Sequence, residues 1–367
     1  MNFLQNIPKR DLWQYLADTD KTVVMYGMGN GADKILAVCE RYGIEVRDFF
    51  ASDGFVRGHS FHGKTVLSYS AVKEKYGAEN IIVLLSFGSS LPDVLELFKK
   101  VDSECEMYAP DVPVCDGEIF TLEFFESHKT EILAVRDMLE DEKSKSIYEN
   151  VILYKLTGKI EYLFEAESYK EESYSLLGAA DFKSYADLGA YNGDTVREIL
   201  EHSPDIEKIY ALEPDARTFR KLDAFCNGYD GKAKLIPINA AAWSSDTTLT
   251  FGNEGNRNSG IFAPTKTAKR VDSTARSLDS VLDGECIDYI KYDVEGAERE
   301  ALLGSRETIE KYCPALLVSL YHRSDDIFEL PHMIHEMAPD YKLYLRRYPY
   351  IPAWDLNLLA VAKKDDL

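Results

Sequence analysis

The sequence contains no apolar run long enough to cross a lipid bilayer, and it has comparatively few positive charges. A membrane-spanning helix needs about 20 apolar residues. The longest apolar stretches, such as Ile81–Leu85 and Ala315–Leu320, have the length of buried strands. Lys and Arg total 42 among 367 residues against 63 Asp and Glu, which gives a formal net charge of −21. A chain this acidic repels phosphate backbones and anionic lipid, so we expect neither a nucleic acid nor a membrane as its partner.

Cysteine is also sparse, with six residues scattered along the chain and no C-x-x-C pair. This spacing argues against a structural zinc site and is typical of free thiols in a reducing compartment. The amino terminus places Lys9, Arg10 and Asp11 where a secretory signal would require an apolar segment. We therefore expect a cytoplasmic protein.

The length and the order of predicted elements indicate two α/β units. At about 150 residues per domain, the length favours two domains. Alternating strands and helices in each half predict a doubly wound, Rossmann-like parallel sheet. Between the halves, apolar residues spaced three and four apart predict helices that end near Gly158. We expect a nucleotide-binding-type unit at residues 1–120, a helical connector at 121–165 and a second unit at 166–367, whose last hairpin supplies an antiparallel edge strand.

The amino-terminal unit carries a glycine turn after its first predicted strand, Thr22–Tyr26. Residues 27–32 have the pattern G-x-G-x-x-A, and Asp48 and Asp53 lie further along the chain. A glycine turn followed about 20 residues later by an acid is the dinucleotide-binding fingerprint. The unit is therefore a candidate to bind NAD, to bind the nucleotide portion of a substrate, or to serve in assembly only.

A second glycine turn follows the predicted strand Ser184–Leu188, in the segment YADLGAYNGD of residues 185–194. A strand that ends in an acid and runs into glycines lets a ligand approach the backbone closely. Asp194 or Thr195 is expected to cap the next helix, with Glu198 completing a capping box.

The acids near this turn indicate which nucleoside it binds. Glu213 ends the adjacent predicted strand, where a ribose diol could donate hydrogen bonds to it. Asp187 precedes the first glycine of the turn and Asp194 follows the last, and two acids repel the diphosphate of a dinucleotide. A cation suits them better, and S-adenosyl-L-methionine presents a sulfonium and an α-ammonium beside its ribose. The alternative is an ordinary strand-to-helix turn with surface acids.

Charged residues alternate along the later segment IDYIKYDVEGAE, residues 287–298. Lys291, Asp293 and Glu295 are predicted on one face of a strand and the turn beyond it, at the sheet edge where ligands bind. One of the two acids is a candidate general base for an acceptor hydroxyl, and His322 after the next strand is another. The alternative is an internal salt bridge that orders the turn. Asp293, Glu295 and His322 could also hold a divalent ion, but oxygen-rich sites usually show more acids at close spacing, so we expect no metal.

These motifs resemble, by their order and spacing over roughly residues 130 to 367, the FkbM family of class I methyltransferases, which act on hydroxyl groups of sugars and natural products. The family pattern D-x-I-K-x-D-V-E-G-x-E is matched at every fixed position by residues 288–298. The other shared motifs are DLGAYNGDT at 187–195, LEPD at 212–215, NAAAW at 239–243 and RSLD at 276–279. The sequence departs from the wider class at Tyr191, where many members have a glycine.

The resemblance implies that the cofactor is S-adenosyl-L-methionine. Asp187, Gly189 and Gly193 would hold its amino-acid end, and Glu213 would bind the ribose. The full set expected to line the cofactor is Asp187, Gly189, Ala190, Tyr191, Asn192, Gly193, Asp194, Glu213, Pro214, Asp215, Asn239 and Ala240. The catalytic candidates are Lys291, Asp293, Glu295 and His322.

We therefore expect an S-adenosylmethionine-dependent methyltransferase that O-methylates a sugar or another small hydroxylated metabolite, including a nucleotide-linked sugar. An NAD-dependent oxidoreductase that uses the amino-terminal glycine turn and a non-catalytic nucleotide-binding protein are the two alternatives. The polar, locally basic segment 252–274 is expected to be a loop, either over the acceptor or as a surface connection. The sequence is compatible with a homo-oligomer.

Overall fold

The computed structural model describes residues 3–56, 58–253 and 269–362 and contains two large sheets joined by helices. The strands of the first unit are β1 (Thr22–Tyr26), β2 (Val46–Ala51), β3 (Ser60–Phe61), β4 (Lys64–Thr65), β5 (Leu67–Ser68), β6 (Ile81–Leu85) and β7 (Glu106–Tyr108). Its helices are α1 (Leu12–Ala17), α2 (Asn30–Arg41), α3 (Tyr69–Tyr76) and α4 (Pro92–Glu104).

The first sheet is parallel and has the strand order β5-β2-β1-β6-β7. Its central strands are apolar because helices cover both faces, and β6 is buried at all five positions. The glycine turn after β1 begins helix α2, with Gly29 as the N-cap. A Cβ at Gly31 would lie 2.1 Å from the backbone oxygen of Ser86, so this glycine allows α2 to pass close to the end of β6.

Helices α5 (Leu122–Ser127), α6 (Lys129–Met138), α7 (Glu142–Thr157), α8 (Glu161–Glu165) and α9 (Lys170–Leu177) connect the two sheets. The apolar faces predicted for α6 and α7 are buried. Gly158 ends α7 in the left-handed conformation, as expected. One continuous hydrophobic core contains Val24 of β1, Val151 of α7 and the later residue Ile290. The boundaries expected at residues 120 and 165 stay predictions.

The second sheet has seven strands. Its unit comprises β8 (Ser184–Leu188), α10 (Asp194–His202), β9 (Lys208–Leu212), α11 (Ala216–Gly228), β10 (Lys234–Ile238), β11 (Ala241–Ala242), β12 (Thr247–Asn253), β13 (Lys269–Arg276), α12 (Leu278–Leu282), β14 (Tyr289–Tyr292), α13 (Glu298–Leu303), α14 (Arg306–Tyr312), β15 (Ala315–Ser319), α15 (Asp326–Met337), β16 (Lys342–Arg347) and β17 (Leu356–Val361). The strand order is β10-β9-β8-β14-β15-β17-β16. β17 runs antiparallel to β15 and β16, whereas the pairs from β10 to β15 are parallel. This confirms the expected α/β fold class.

The helix cap expected after β8 is wrong. Helix α10 begins at Asp194 with Gly193 as its N-cap, which forms no side-chain cap, and Asp194 Oδ1 accepts from the adjacent Thr195 N at 3.0 Å. The hydroxyl of Thr195 instead donates to Asp187 Oδ2. Glu198 accepts hydrogen bonds from two side chains of α9. Long-range partners therefore engage the two side chains that the local capping pattern had assigned to each other.

The segment 252–274 is not a loop at its two ends. β12 and β13 pair in antiparallel register from Thr247 opposite Ala275 to Asn253 opposite Lys269, while residues 254–268 lie outside the described part of the chain. The polar composition of β13 concealed the strand, because pairing with β12 satisfies its backbone without requiring an apolar face.

The two units contact each other near the carboxyl ends of their strands. Ser89, after β6, pairs in both directions with the backbone of Ile351, at N to O distances of 2.9 and 3.1 Å. Lys34 of α2 donates to the backbone oxygens of Pro113 and Val114. The backbone N–H of Cys115 then donates to His322 O at 3.0 Å. Residues 113–115, which follow the first sheet and which we call the strap, thus reach the second sheet.

All six cysteines have free thiols, as expected. Within residues 3–56, 58–253 and 269–362, none of the helices combines the length and the apolar character needed to cross a bilayer.

Candidate active site

The carboxyl ends of β8, β9 and β14 meet at one edge of the second sheet and place charged side chains there. β8 lies between β9 and β14, and the register sets Asp187 beside Lys291 on one side and Ala211 on the other. Glu213 directly follows β9, and Asp293 directly follows β14. Ligands of open parallel sheets bind at this edge, so the predicted cofactor and catalytic residues lie around one location.

The turn after β8 needs its glycines because of their positive φ values and because neighbouring atoms leave no room for a Cβ. Gly189 has a φ of +87°, and a Cβ there would lie 1.9 Å from the backbone oxygen of Asp293. Gly193 has a φ of +83° and would place a Cβ 2.7 Å from the ring of Phe225. Between them, Tyr191 adopts a φ of +47°, the left-handed conformation that glycine would provide in other class I sequences. The turn therefore keeps a glycine-type backbone at a position that is not glycine.

Glu213 joins this turn to the end of β9. Its Oε2 accepts a hydrogen bond from Tyr191 N at 3.0 Å, and its Oε1 accepts one from Asp215 N at 2.8 Å. The residue is 7% exposed and has no cationic partner among the described residues. Burial raises the pKa of Glu213 to about 7, although the two backbone N–H groups act in the opposite direction. Each oxygen keeps a further lone pair that can accept a hydrogen bond from a ligand hydroxyl.

Asp187 lies beneath the turn and is fully buried. Lys291 Nζ lies 3.2 Å from its Oδ1, and the Thr195 hydroxyl donates to its Oδ2. The sequence argument treated Asp187 as an uncompensated charge, but Lys291 balances it. Among the described residues Glu213 has no cationic partner, so the preference for a cation over a diphosphate depends on Glu213 and Asp194. Contact between Asp187 and a ligand stays a prediction.

The other residues expected to line the cofactor surround the same turn. Asn239 Nδ2 donates to Glu213 O at 2.8 Å and to Pro214 O at 3.2 Å, which fixes the backbone after β9. Asp215 caps α11 by accepting from Thr218 N. The structure also places Ala190 and Ala240 in buried positions, Asn192 within the turn and Asp194 at the exposed start of α10.

The catalytic candidates form one cluster beyond β14 and β15. Lys291 Nζ lies 3.7 Å from Asp293 Oδ2. His322 Nε2 lies 3.7 Å from Asp293 Oδ1 and 3.8 Å from Glu295 Oε2. The side chains of Asp293 and Glu295 are 33% and 50% exposed, while His322 is fully buried. The two acids therefore face solvent, and the two cationic side chains lie behind them.

The charged side chains of this cluster change one another's pKa values. Burial acts to lower the pKa of Lys291, but Asp187 and Asp293 raise it above its usual value. Burial also acts to lower the pKa of His322, yet the neighbouring carboxylates raise it to about 10. Burial acts to raise the pKa of Asp293, but Lys291 and His322 lower it. Burial raises the pKa of Glu295. Protonated Lys291 and His322 therefore serve as charge partners of the acids at neutral pH.

Sequence reasoning missed four residues of the site. Thr195 holds Asp187, Tyr321 donates to Asp293 Oδ1 at 3.0 Å, and Cys115 Sγ donates to Glu295 O at 3.0 Å. Glu298 Oε1 lies 2.9 Å from His322 Nδ1 and accepts from the backbone N–H of residue 294 at 2.9 Å. Glu298 and Thr195 both stand in the matched family motifs, so the sequence could have revealed these two.

In the first unit, the acids expected to bind a ribose have protein partners. Asp48 Oδ2 accepts hydrogen bonds from Lys75 and Tyr76. Asp53 accepts from the backbone and the hydroxyl of Ser70. These contacts tie both acids to α3, and nucleotide binding by the first unit stays a prediction.

The strand order, the glycine turn after the central strand and the acid after the next strand define a class I methyltransferase fold. Residues 187–351 match the model of the family described as the methyltransferase FkbM domain. The match covers this segment and confirms the resemblance to the FkbM methyltransferase family.

One solved structure with a high TM-score supports the fold. The crystal structure of a methyltransferase FkbM from Methylobacillus flagellatus KT is 19% identical, with a TM-score of 0.71 over 98% of this chain and 93% of that chain. Aeropyrum pernix fibrillarin in complex with S-adenosyl-L-methionine is 14% identical, with a TM-score of 0.33 over 52% of this chain and 74% of that chain. An rRNA methylase from Streptococcus thermophilus is 12% identical, with a TM-score of 0.35 over 53% of this chain and 96% of that chain. The last two likenesses are too low to carry an argument. A comparison with curated proteins gives no match.

Proposed function

We propose that this protein is an S-adenosyl-L-methionine-dependent methyltransferase that transfers a methyl group to a hydroxyl of a small acceptor, a sugar or a similar polyhydroxyl metabolite. The observation that carries the proposal is the Glu213 carboxylate, which the backbone of the glycine turn holds at 3.0 Å. It lies at the sheet edge where a nucleoside binds, and its oxygens suit the two hydroxyls of a ribose.

The residues around the turn fit this cofactor. Gly189 and Gly193 let the turn pack closely against Asp293 and Phe225, and each oxygen of Glu213 keeps a lone pair that can accept from a ribose hydroxyl. Asp194, at the exposed start of α10, adds a negative charge that favours a sulfonium and an ammonium group. When bound, the cofactor supplies an electrophilic methyl group. Asn239 holds the backbone after β9, where the adenine edge is expected.

The acids beyond β14 are the groups that meet the acceptor. Glu295 is the most exposed member of the cluster, so it is our choice for the general base. The cofactor would give its methyl group to the acceptor oxygen and leave as S-adenosylhomocysteine, and Glu295 would take up the hydroxyl proton. Lys291 and His322 act as positioning residues that fix the carboxylates. Alignment of the oxygen with the methyl group supplies most of the acceleration, and proton removal adds roughly 10²-fold to 10⁴-fold.

The contacts of the first unit favour this function over an NAD-dependent oxidoreductase. Asp48 and Asp53 bond to α3 rather than facing the turn after β1. The strap that ends at Cys115 contacts Glu295 and His322, so the first unit borders the acceptor side of the second sheet. We infer that this unit helps to enclose the acceptor, which is consistent with a nucleotide-linked sugar among the candidates.

The test is methyl transfer itself. The full chain is incubated with S-adenosylmethionine carrying an isotopically labelled methyl group and a panel of monosaccharides, glycosides and nucleotide sugars, and mass spectrometry detects labelled ethers. Glu295→Gln is expected to lower kcat by roughly 100-fold and to leave S-adenosylhomocysteine affinity unchanged. Glu307→Gln, an exposed acid on α14, is the matched control. Cofactor binding with no labelled product in the whole panel contradicts an enzymatic role and favours a nucleotide-binding protein.

A further inference from the structure

Three residues from separate elements bring possible metal ligands together behind the proposed base. Asp293 follows β14, Glu298 begins α13 and His322 follows β15. One ligand atom from each lies within 4.8 Å of the other two. An ion about 2.1 Å from its ligands separates them by roughly 3 to 4 Å, so small side-chain shifts would bring all three into contact with it.

The buried members of this cluster have polar atoms without a hydrogen-bond partner. His322 is fully buried, and neither of its ring nitrogens has a hydrogen-bond partner among the described residues. The 2.9 Å contact from Nδ1 to Glu298 Oε1 is an ion-pair contact that lacks hydrogen-bond geometry. Glu298 is 1% exposed, and its Oε2 is likewise unpartnered in the described part of the chain. Leaving buried polar atoms without partners is costly, which indicates that something else satisfies them.

We propose that Asp293, Glu298 and His322 bind a divalent transition cation. This inference goes beyond the methyltransferase function, although the role given to the ion below rests on that function. Two carboxylates and one imidazole, which releases its proton when the ion binds, form a mixed oxygen and nitrogen set that suits Mn²⁺ and similar ions. A third acid, Glu295, lies 3.8 Å from His322 Nε2 and provides a further oxygen at the exposed side.

Glu298 changes the expectation, drawn from the sequence, that the protein binds no metal. With Asp293, Glu295 and His322 alone, the acids were too few for an oxygen-rich site. Glu298 adds a buried carboxylate whose Oε1 is fixed by a backbone N–H of the same turn. The cluster then has an acid held in place at the rear and two partly exposed acids at the front.

The exposed front of the cluster gives the ion its role. Since Asp293 and Glu295 are partly open to solvent, coordination positions on that side can be filled by an acceptor hydroxyl. A bound cation lowers the pKa of an oxygen that it coordinates and fixes its direction. The ion would therefore orient the acceptor oxygen, and Glu295 would receive its proton.

The test is Mn²⁺ binding to the full chain after treatment with a chelator, without cofactor or acceptor. Electron paramagnetic resonance follows the loss of the free Mn²⁺ spectrum, and calorimetry gives the Kd. Asp293→Asn and Glu298→Gln are each expected to raise the Kd at least ~10-fold. Glu300→Gln, an acid on the same helix α13 outside the cluster, is expected to leave it unchanged.

Two further measurements keep the result interpretable. Circular dichroism and S-adenosylhomocysteine affinity verify that each variant is folded, and Asp293→Asn tests a partly exposed position should Glu298→Gln fail to fold. Wild-type protein that leaves millimolar Mn²⁺ free overturns the proposal, as does binding that is equal in all folded variants. Because this assay uses neither cofactor nor acceptor, loss of Mn²⁺ binding and absence of methyl transfer are separate outcomes.

Discussion

Tyr191 donates its backbone N–H to Glu213 Oε2 at 3.0 Å and so links the glycine turn after β8 to the acid after β9. Tyr191 makes this bond from a left-handed backbone with a φ of +47°. The same carboxylate accepts from Asp215 N, so its position is fixed from both neighbouring strand ends. A ligand that binds here meets a carboxylate already held in place.

The buried state of Glu213 predicts a pH-dependent stability. Burial raises its pKa to about 7 in the folded chain from the model-peptide value of 4.5. The folded state therefore holds a proton that the unfolded state releases between these pH values. The stability from this group is fully present below pH 4.5, is lost as the pH rises through about 7, and amounts to about 3 kcal/mol.

Denaturant unfolding at a series of pH values checks this. The difference in unfolding free energy between wild type and Glu213→Gln should change between pH 4.5 and about 7, with wild type losing stability relative to the variant as the pH rises. A difference that stays constant over this range means that Glu213 is not buried as an acid with a raised pKa.

Gly189→Ala should disrupt the junction between β8 and β14. A Cβ at this position would lie 1.9 Å from Asp293 O, and the φ of +87° strains any other residue. We expect a loss of stability of about 2 kcal/mol or more and weaker binding of S-adenosylhomocysteine. Gly228→Ala is the matched control, because a Cβ there meets nothing within 4 Å. Thermal melting that shifts equally in both variants contradicts the close approach.

Lys291→Met should leave the fully buried Asp187 without its charge partner. Removing one member of a buried ion pair typically costs about 3 to 5 kcal/mol. Asp187→Asn in the same chain removes the remaining charge, so the double variant should recover part of the stability that the single Lys291 variant loses. Urea unfolding of both single variants and the double variant measures this coupling. Additive losses would mean that the 3.2 Å contact contributes no interaction energy.

The strap of the first unit predicts an order of thiol reactivity. Burial raises the pKa of Cys115 to about 12, and its Sγ donates to Glu295 O. Cys286 and Cys313 are exposed. Maleimide labelling followed by peptide mass spectrometry should therefore modify these two cysteines well before Cys115. Rapid labelling of Cys115 in the folded protein would show that the strap does not cover the turn at Glu295.

Apolar runs predicted the central sheet from the sequence very closely. Ser184–Leu188 begins and ends as expected, because a buried parallel strand is short and largely apolar. β13 was missed, because its polar residues carry no such pattern. Local rules thus worked where burial alone decides the structure.

The sequence predicted which residues meet at the site, but it did not predict the hydrogen bonds between them. The sequence placed Asp187, Glu213 and Asp293 at one edge, since all three follow or end parallel strands. It did not indicate that Thr195 would bond to Asp187 instead of capping α10, or that Cys115 would reach Glu295 from 180 residues away. These contacts depend on how separate elements pack, which local sequence patterns do not contain.

The decisive measurement is the titration of the full chain with S-adenosylhomocysteine by calorimetry at pH 8. Wild type and Glu207→Gln, an exposed acid before the same strand β9, should bind alike. Glu213→Gln should bind roughly 10- to 100-fold more weakly, because it loses charge-assisted hydrogen bonds to the ribose. Equal affinity in all three proteins, or no binding by wild type, would contradict the assignment of this edge of the sheet to an adenosyl cofactor.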